Sequence, residues 1–156
     1  MKLILIILSC FLAINTAQAQ MDGPMIFVDQ ARARATKGSN GAIFMNILNN
    51  EGDEWNLIAA DVSSDICDHV ELHTHIQEGD IFRMRPVKEI SLNPGTVTEL
   101  KPGGLHVMLM GLKKELKAED QFQLILKFKN GKEKMFILDI SVPVQKLKGG
   151  CCHHKH

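Results

Sequence analysis

Six side chains able to bind a soft metal ion lie between Val70 and Leu112: His73, His75, Met84, His106, Met108 and Met110. Ten residues separate His73 from Met84, twenty-one separate Met84 from His106, and one separates His106 from Met108. Thioether sulfur is a soft ligand and imidazole a borderline one, so a site made of both suits Cu(I) better than any hard cation. A second concentration of donors closes the chain: Cys151, Cys152, His153, His154 and His156, five within six residues. Adjacent cysteines rarely bridge each other, because a disulfide wants its Cα atoms farther apart than neighbours allow without strain. The tail therefore reads as a metal-capture segment, for Cu(I) or Zn(II) when its thiols are reduced and for Cu(II) through its imidazoles. The plainer reading is a polar chain end.

The elements that must position the first set are strands. Side chains alternate faces along a strand with period two. In Leu105–Met110 the residues Leu105, Val107 and Leu109 share one face and His106, Met108 and Met110 the other. In Val70–Ile76 the residues Val70, Leu72 and Ile76 oppose Glu71, His73 and His75. Each strand thus has an aliphatic side for a core and a donor-bearing side, and two such strands side by side can converge on one ion, with Met84 supplied from between them. Methionine is also a common core filler; Met45 and Met135 are expected to serve as that, and Met110 to pack beside the site. His75 has three readings: an alternative ligand, a ligand when copper is Cu(II), or a polar surface residue. The polar outer face common on strands favours the last, and His69 is expected at the surface too.

The rest of the sequence gives these strands a simple frame. The chain has 156 residues, with 18 basic and 18 acidic side chains, so nothing leans toward nucleic acid or an anionic membrane. It has no Tyr and one Trp, which leaves stacking platforms poorly supplied. Residues 1–19 read as a secretory signal peptide: Lys2, the apolar run Leu3–Ile14, then Ala17-Gln18-Ala19 as the cleavage signature. Lipidation at Cys10 is the minor alternative. The expectation is an exported, soluble protein without membrane insertion after cleavage. Its domain runs over residues 20–144, followed by the Cys/His-rich tail, 145–156.

Within the domain, turn signals recur every eight to twelve residues. They include Asn49-Asn50-Glu51-Gly52, Asn93-Pro94-Gly95, Lys101-Pro102-Gly103-Gly104 and Asn130-Gly131, the last a hairpin turn. Gln121–Lys129 alternates, with Phe122, Leu124, Leu126 and Phe128 expected inward. Met25–Asp29 and Ala31–Ala35 read as one strand with a kink, and Leu112–Glu119 as the one candidate helical turn. The pattern predicts an all-β sandwich or barrel.

Several chemistries lack their residues. A blue-copper electron-transfer centre needs a Cys thiolate with two His and a weak axial Met, yet Val70–Leu112 contains no Cys. Cys67, three residues outside, reads as a small core or turn residue. The four cysteines do not bracket loops of the domain as a disulfide framework would. There is no paired-carboxylate signature, nucleophile–base pair or phosphate-cradling glycine loop, so no enzymatic activity is expected. An electron-transfer cupredoxin and an immunoglobulin-like interaction domain with incidental His and Met remain as alternatives, separable by visible absorption of the Cu(II) form and by Cu(I) binding.

The spacing His73-x10-Met84-x21-His106-x-Met108, together with Met84–Val87 (MRPV) and Leu100–Leu116 (LKPGGLHVMLMGLKKEL), resembles the periplasmic copper chaperone family PCu(A)C. The likeness covers about Met25 to Val142 and is weakest before Ala42. It implies a cupredoxin-like Greek-key β-barrel binding one Cu(I) through His73, Met84, His106 and Met108. It further implies a monomeric carrier that supplies copper to the oxidase subunit holding the dinuclear copper centre of a haem-copper (cytochrome c) oxidase, or to another copper assembly protein. The family motif does not include the tail.

Overall fold

A computed structural model of the chain describes residues 23–79 and 81–146. The expected signal peptide, Cys10 and the tail donors Cys151, Cys152, His153, His154 and His156 lie outside the described residues. Ten strands form: β1 (Ile26–Arg34), β2 (Asn40–Asn49), β3 (Trp55–Val62), β4 (Cys67–Glu78), β5 (Ile81–Pro86), β6 (Ile90–Leu92), β7 (Thr96–Leu100), β8 (His106–Leu112), β9 (Gln121–Asn130) and β10 (Met135–Gln145). Among the described residues no helix is long and apolar enough to cross a membrane. The all-β expectation holds.

The strands follow the order β5-β4-β8-β2-β1-β10-β9-β3-β6, with β7 also on β2. β2 divides one edge between two partners: residues 40–43 pair with β8 and residues 45–49 with β7. The path curls so that both halves face one core. Ile43, Ile47, Leu72, Val107 and Leu109 from the β4-β8-β2 side meet Leu57, Leu124, Leu126, Phe128 and Val142 from the β3-β9-β10 side. Burying each such side chain stabilises the fold by about 1.5–3 kcal/mol. The join is made by β1 and β10, parallel at Ala33↔Val144 and Arg34↔Gln145.

Local chemistry explains the irregular points. β1 is one strand with a kink, as its sequence suggests: its register shifts between Asp29 and Arg32, where Gln30 takes φ 51°. Asn49 is fully buried between β2 and the following turn; its Nδ2 donates to the carbonyls of Leu92 (2.7 Å) and Asp53 (2.9 Å), and its Oδ1 accepts from Glu51 N. Gly111 sits at φ 66°, with the Asp68 carboxylate against the place where a Cβ would stand, so both conformation and space require glycine there.

Four expectations change. Leu112–Glu119 forms no helix: Leu116 pairs with Thr36 through two backbone hydrogen bonds and is buried, and eight residues are too few to hold a helix against that burial. Asn130-Gly131 does begin a hairpin, but a wider one. Asn130 Oδ1 accepts from both Lys132 N and Lys134 N, and the left-handed residue is Glu133 (φ 63°). Met45 is core, but Met135 is 50% exposed, because it stands opposite Lys129 on the outward face of the β9–β10 hairpin. Ile76 has core parity yet is exposed, since β4 runs past the core edge into its hairpin with β5.

Candidate metal centre

The donors lie on the outward face of β5-β4-β8-β2, and the register places them in rows. His73 is opposite His106 across β4 and β8. One step further along the β2–β8 register, Phe44 stands beside His106, with ring centroids 6.2 Å apart. Two residues along β4, His75 is opposite Met84 of β5. Two residues along β8, Met108 lies between Ala42 of β2 and Glu71 of β4. The next row holds Asn40, Met110 and His69.

This face is not open to water throughout. His106 is buried (2% exposed), as is its neighbour Val107 on the core side, so β8 is covered on both faces there. A cavity of about 400 Å³ opens beside it, lined by His75, Met84, His106 and Met108 with Phe44 and Ala42. The Lys101–Gly104 turn contributes Pro102 and Gly103 to the wall, and the end of β1 contributes Arg34. Met84 is 51% exposed and Met108 half-buried.

Hydrogen bonds fix how the imidazoles present their lone pairs. The Gly104 carbonyl accepts from His106 Nδ1–H at 2.9 Å and from His75 Nδ1–H at 3.3 Å, which leaves Nε2 of each as the free nitrogen. His73 is held the other way round. Its Nε2–H donates to Glu71 Oε2 at 2.7 Å, so its lone pair is on Nδ1, and that atom is buried with no partner among the described residues. The three rings cluster: His75 to His106 is 5.2 Å between centroids, and His73 to His106 is 5.8 Å. A metal-binding histidine usually donates its other ring N–H to a carbonyl or carboxylate, which fixes tautomer and orientation. All three rings are held in that way.

Electrostatics agree with neutral imidazole at the centre. Burial holds His106 below the ordinary histidine pKa, outweighing its hydrogen bond to Gly104, with His75 and His73 adding a smaller push in the same direction. The hydrogen bond from His73 holds the Glu71 carboxyl below its usual range. Glu71 also reaches His69 (Oε1 to Nε2, 3.5 Å), which is at the surface as expected.

The structure thus brings His75, Met84, His106 and Met108 to one cavity and sets His73 against His106, off the cavity wall. His75 is not the plain surface residue its parity suggested. The turn carrying Gly104 folds over it, a contact no strand pattern reveals. Met110 is half-buried on the donor face but does not line the cavity. Cys67 is buried at the start of β4, where burial pushes its thiol pKa up, away from thiolate chemistry. The residues that sequence reasoning passed over are Glu71 and Gly104. Glu71 shares the donor parity and was legible on that ground; a backbone carbonyl leaves no mark in a sequence. Among the described residues no three His, Cys, Asp or Glu side chains form a group able to hold a metal ion.

The all-β frame sets two imidazoles and two thioethers, His75, His106, Met84 and Met108, at one cavity. The family model "Putative lipoprotein LpqE-like" matches residues 26–144, and the chain belongs to that LpqE-like family. An uncharacterised protein of Rickettsia prowazekii is 30% identical over 100 residues, 64% of this chain and 54% of that protein. The chain therefore spans about half the length of that relative. Among solved structures, the copper-bound PCuAC domain from PmoF2 superposes with a TM-score of 0.62 at 21% identity, covering 78% of this chain and 93% of that one. The Cu(I) form of a Deinococcus radiodurans protein, DR1885, superposes with a TM-score of 0.51 at 24% identity, covering 86% of each chain. The fold is that of PCuAC domains, cupredoxin-like and Greek-key.

Proposed function

We propose that the protein is an exported copper carrier that binds one Cu(I) through His73, Met84, His106 and Met108. The observation that carries this reading is the buried, unpartnered Nδ1 of His73 beside the His106 ring. A buried lone pair without a donor costs stability unless something binds it, and Glu71 holds the ring in the tautomer that keeps it available. Two thioethers complete a donor set suited to a soft monovalent ion. The copper-bound and Cu(I)-bound states of the domains that share this fold support the choice of metal.

The role is carriage without catalysis, by a monomer. Thioethers are weak enough donors for an incoming thiolate or imidazole to displace, so copper leaves by ligand exchange with no change of oxidation state. The acceptor is the copper-holding subunit of a haem-copper oxidase or another copper assembly protein, in the periplasm. The lipoprotein description of the family is in keeping with export, under the signal peptide of residues 1–19. The tail 145–156 holds a second ion through Cys151, Cys152, His153, His154 and His156: Cu(I) or Zn(II) when reduced, Cu(II) when oxidised.

X-ray absorption of the Cu(I)-loaded protein with those five tail donors replaced tests the main site. Mixed sulfur and nitrogen scattering at one equivalent is expected, and a shell of nitrogen and oxygen alone would overturn it. Deleting Cys151–His156 from the natural sequence is expected to remove one bound equivalent, and unchanged stoichiometry would leave the tail an inert end.

A further inference from the structure

His75 is left over by that donor set, yet it lines the cavity together with His106. Both rings hang from one acceptor, the Gly104 carbonyl, and both therefore carry their lone pairs on Nε2. Their centroids are 5.2 Å apart with planes tilted by 39°. A metal–imidazole nitrogen distance of about 2.0–2.1 Å places two rings bound side by side, at a right angle on a tetragonal ion, with centroids about 4.5 Å apart, so the observed pair must close by less than about 1 Å to meet one ion. A purely structural anchor gains nothing from a neighbouring ring held in the same tautomer.

We infer that His75 and His106 form a two-imidazole clamp for Cu(II), so that one cavity takes copper in either oxidation state by changing partners. The inference rests on the cavity being the copper centre. The donors divide by softness: Met84 and Met108 favour Cu(I), whereas Cu(II) favours nitrogen and oxygen donors in tetragonal arrangements. His106, the ring shared by both sets, is the buried pivot, and His75 and His73 flank it. His75 is itself the hairpin partner of Met84, directly across the β4–β5 register, so sulfur and nitrogen alternatives stand side by side at the rim. Copper that arrives as Cu(II) is held by the clamp, and copper that arrives as Cu(I) by the sulfur-rich set.

The test uses the full chain with Cys151, Cys152, His153, His154 and His156 replaced, to remove tail binding, and titrates it with Cu(II) and with Cu(I) separately. Paramagnetic resonance counts the nitrogens on Cu(II), and competition with chelators gives both affinities. His75→Asn is expected to remove one nitrogen from the Cu(II) spectrum and weaken Cu(II) about tenfold or more, with Cu(I) affinity within about twofold. His75→Met exchanges nitrogen for soft sulfur while filling the same space; it is expected to keep or strengthen Cu(I) and weaken Cu(II). Unchanged nitrogen count and Cu(II) affinity in His75→Asn would overturn the clamp, as would equal losses for both oxidation states in both variants. His73→Asn separates the two readings: if it leaves Cu(I) affinity intact, the His73 ligand assignment fails while the His75 arms still decide the clamp.

Discussion

The two long hairpins of this molecule are built on the same alternation and put it to opposite uses. In β9–β10 the inward row Leu124, Leu126 and Phe128 is wholly buried, and the outward row carries Lys127 and Lys129 opposite Ile137 and Met135, with Lys127 paired to Asp61. Its register runs unbroken through nine residue pairs. In β4–β5 the inward row fades past Leu72, and the outward row carries His73, His75 and Met84, with a turn folded onto His75. One hairpin spends its inner face on stability and leaves its outer face to solvent. The other gives its outer face a second, polar-lined interior. Core and site can therefore be perturbed separately.

The largest expected effect lies in the scaffold hairpin. Phe128→Ala removes a fully buried ring stacked on Phe136 at 5.9 Å, and is expected to cost about 3–5 kcal/mol in urea unfolding. The fraction that remains folded should bind Cu(I) as before; a parallel loss of affinity would mean that the two regions are one cooperative site.

Met108→Ala turns the comparison round. Cu(I) is expected to weaken by about tenfold or more, with Zn(II) changed far less, because only the softer ion depends on the thioether. Chelator competition with the two metals checks this, and equal losses would assign Met108 to packing. Glu71→Gln is expected to act more mildly, weakening Cu(I) by about tenfold at most through the orientation of His73, with unfolding nearly unaffected since the carboxyl is at the surface.

The smallest effect is that of pH. Burial depresses the pKa of His106 in the folded state, so its proton competes with copper only below the ordinary imidazole value of about 6.5. Cu(I) affinity should hold near neutrality and fall below that point. Stability follows the same sign: as pH falls below the unfolded value, the unfolded chain takes up a proton first, and the contribution of neutral His106 is lost through its folded pKa. Proton NMR of the His106 ring in the metal-free protein should show a midpoint under the reference value; a midpoint at or above it would contradict the burial described.

Much of this was legible because period two is robust. Leu105, Val107 and Leu109 against His106, Met108 and Met110 needed only alternation, as did Leu124 to Phe128. What the alternation could not carry was where each strand ends relative to the core. Ile76 and Met135 have apolar chemistry but stand past or outside the packed region, and their exposure follows from strand length and register, which depend on partners distant in sequence. Leu116 shows the complementary failure, a helical-looking run captured by a bridge to Thr36. His75 was misjudged for the same reason as Gly104 was missed: the turn at Lys101–Gly104 is visible in sequence, but the direction in which it folds is not.

One topological fact bears on how such a site would empty. Among the described residues β5 pairs with β4 alone and forms one end of the strand order. Of the proposed donors, His73, His106 and Met108 stand on interior strands, each flanked on both sides, while Met84 stands on this margin with Ile81 beside it, both more than half exposed. Segments with few buried contacts open with a free energy well below that of global unfolding. Amide exchange should therefore be fastest along Ile81–Pro86, and the sulfur carried there should be the first donor to leave. Ligand exchange then has a preferred sequence, starting with the sulfur at a frayed margin and ending at a ring sealed between two neighbours, and the opening of six residues gates its first step.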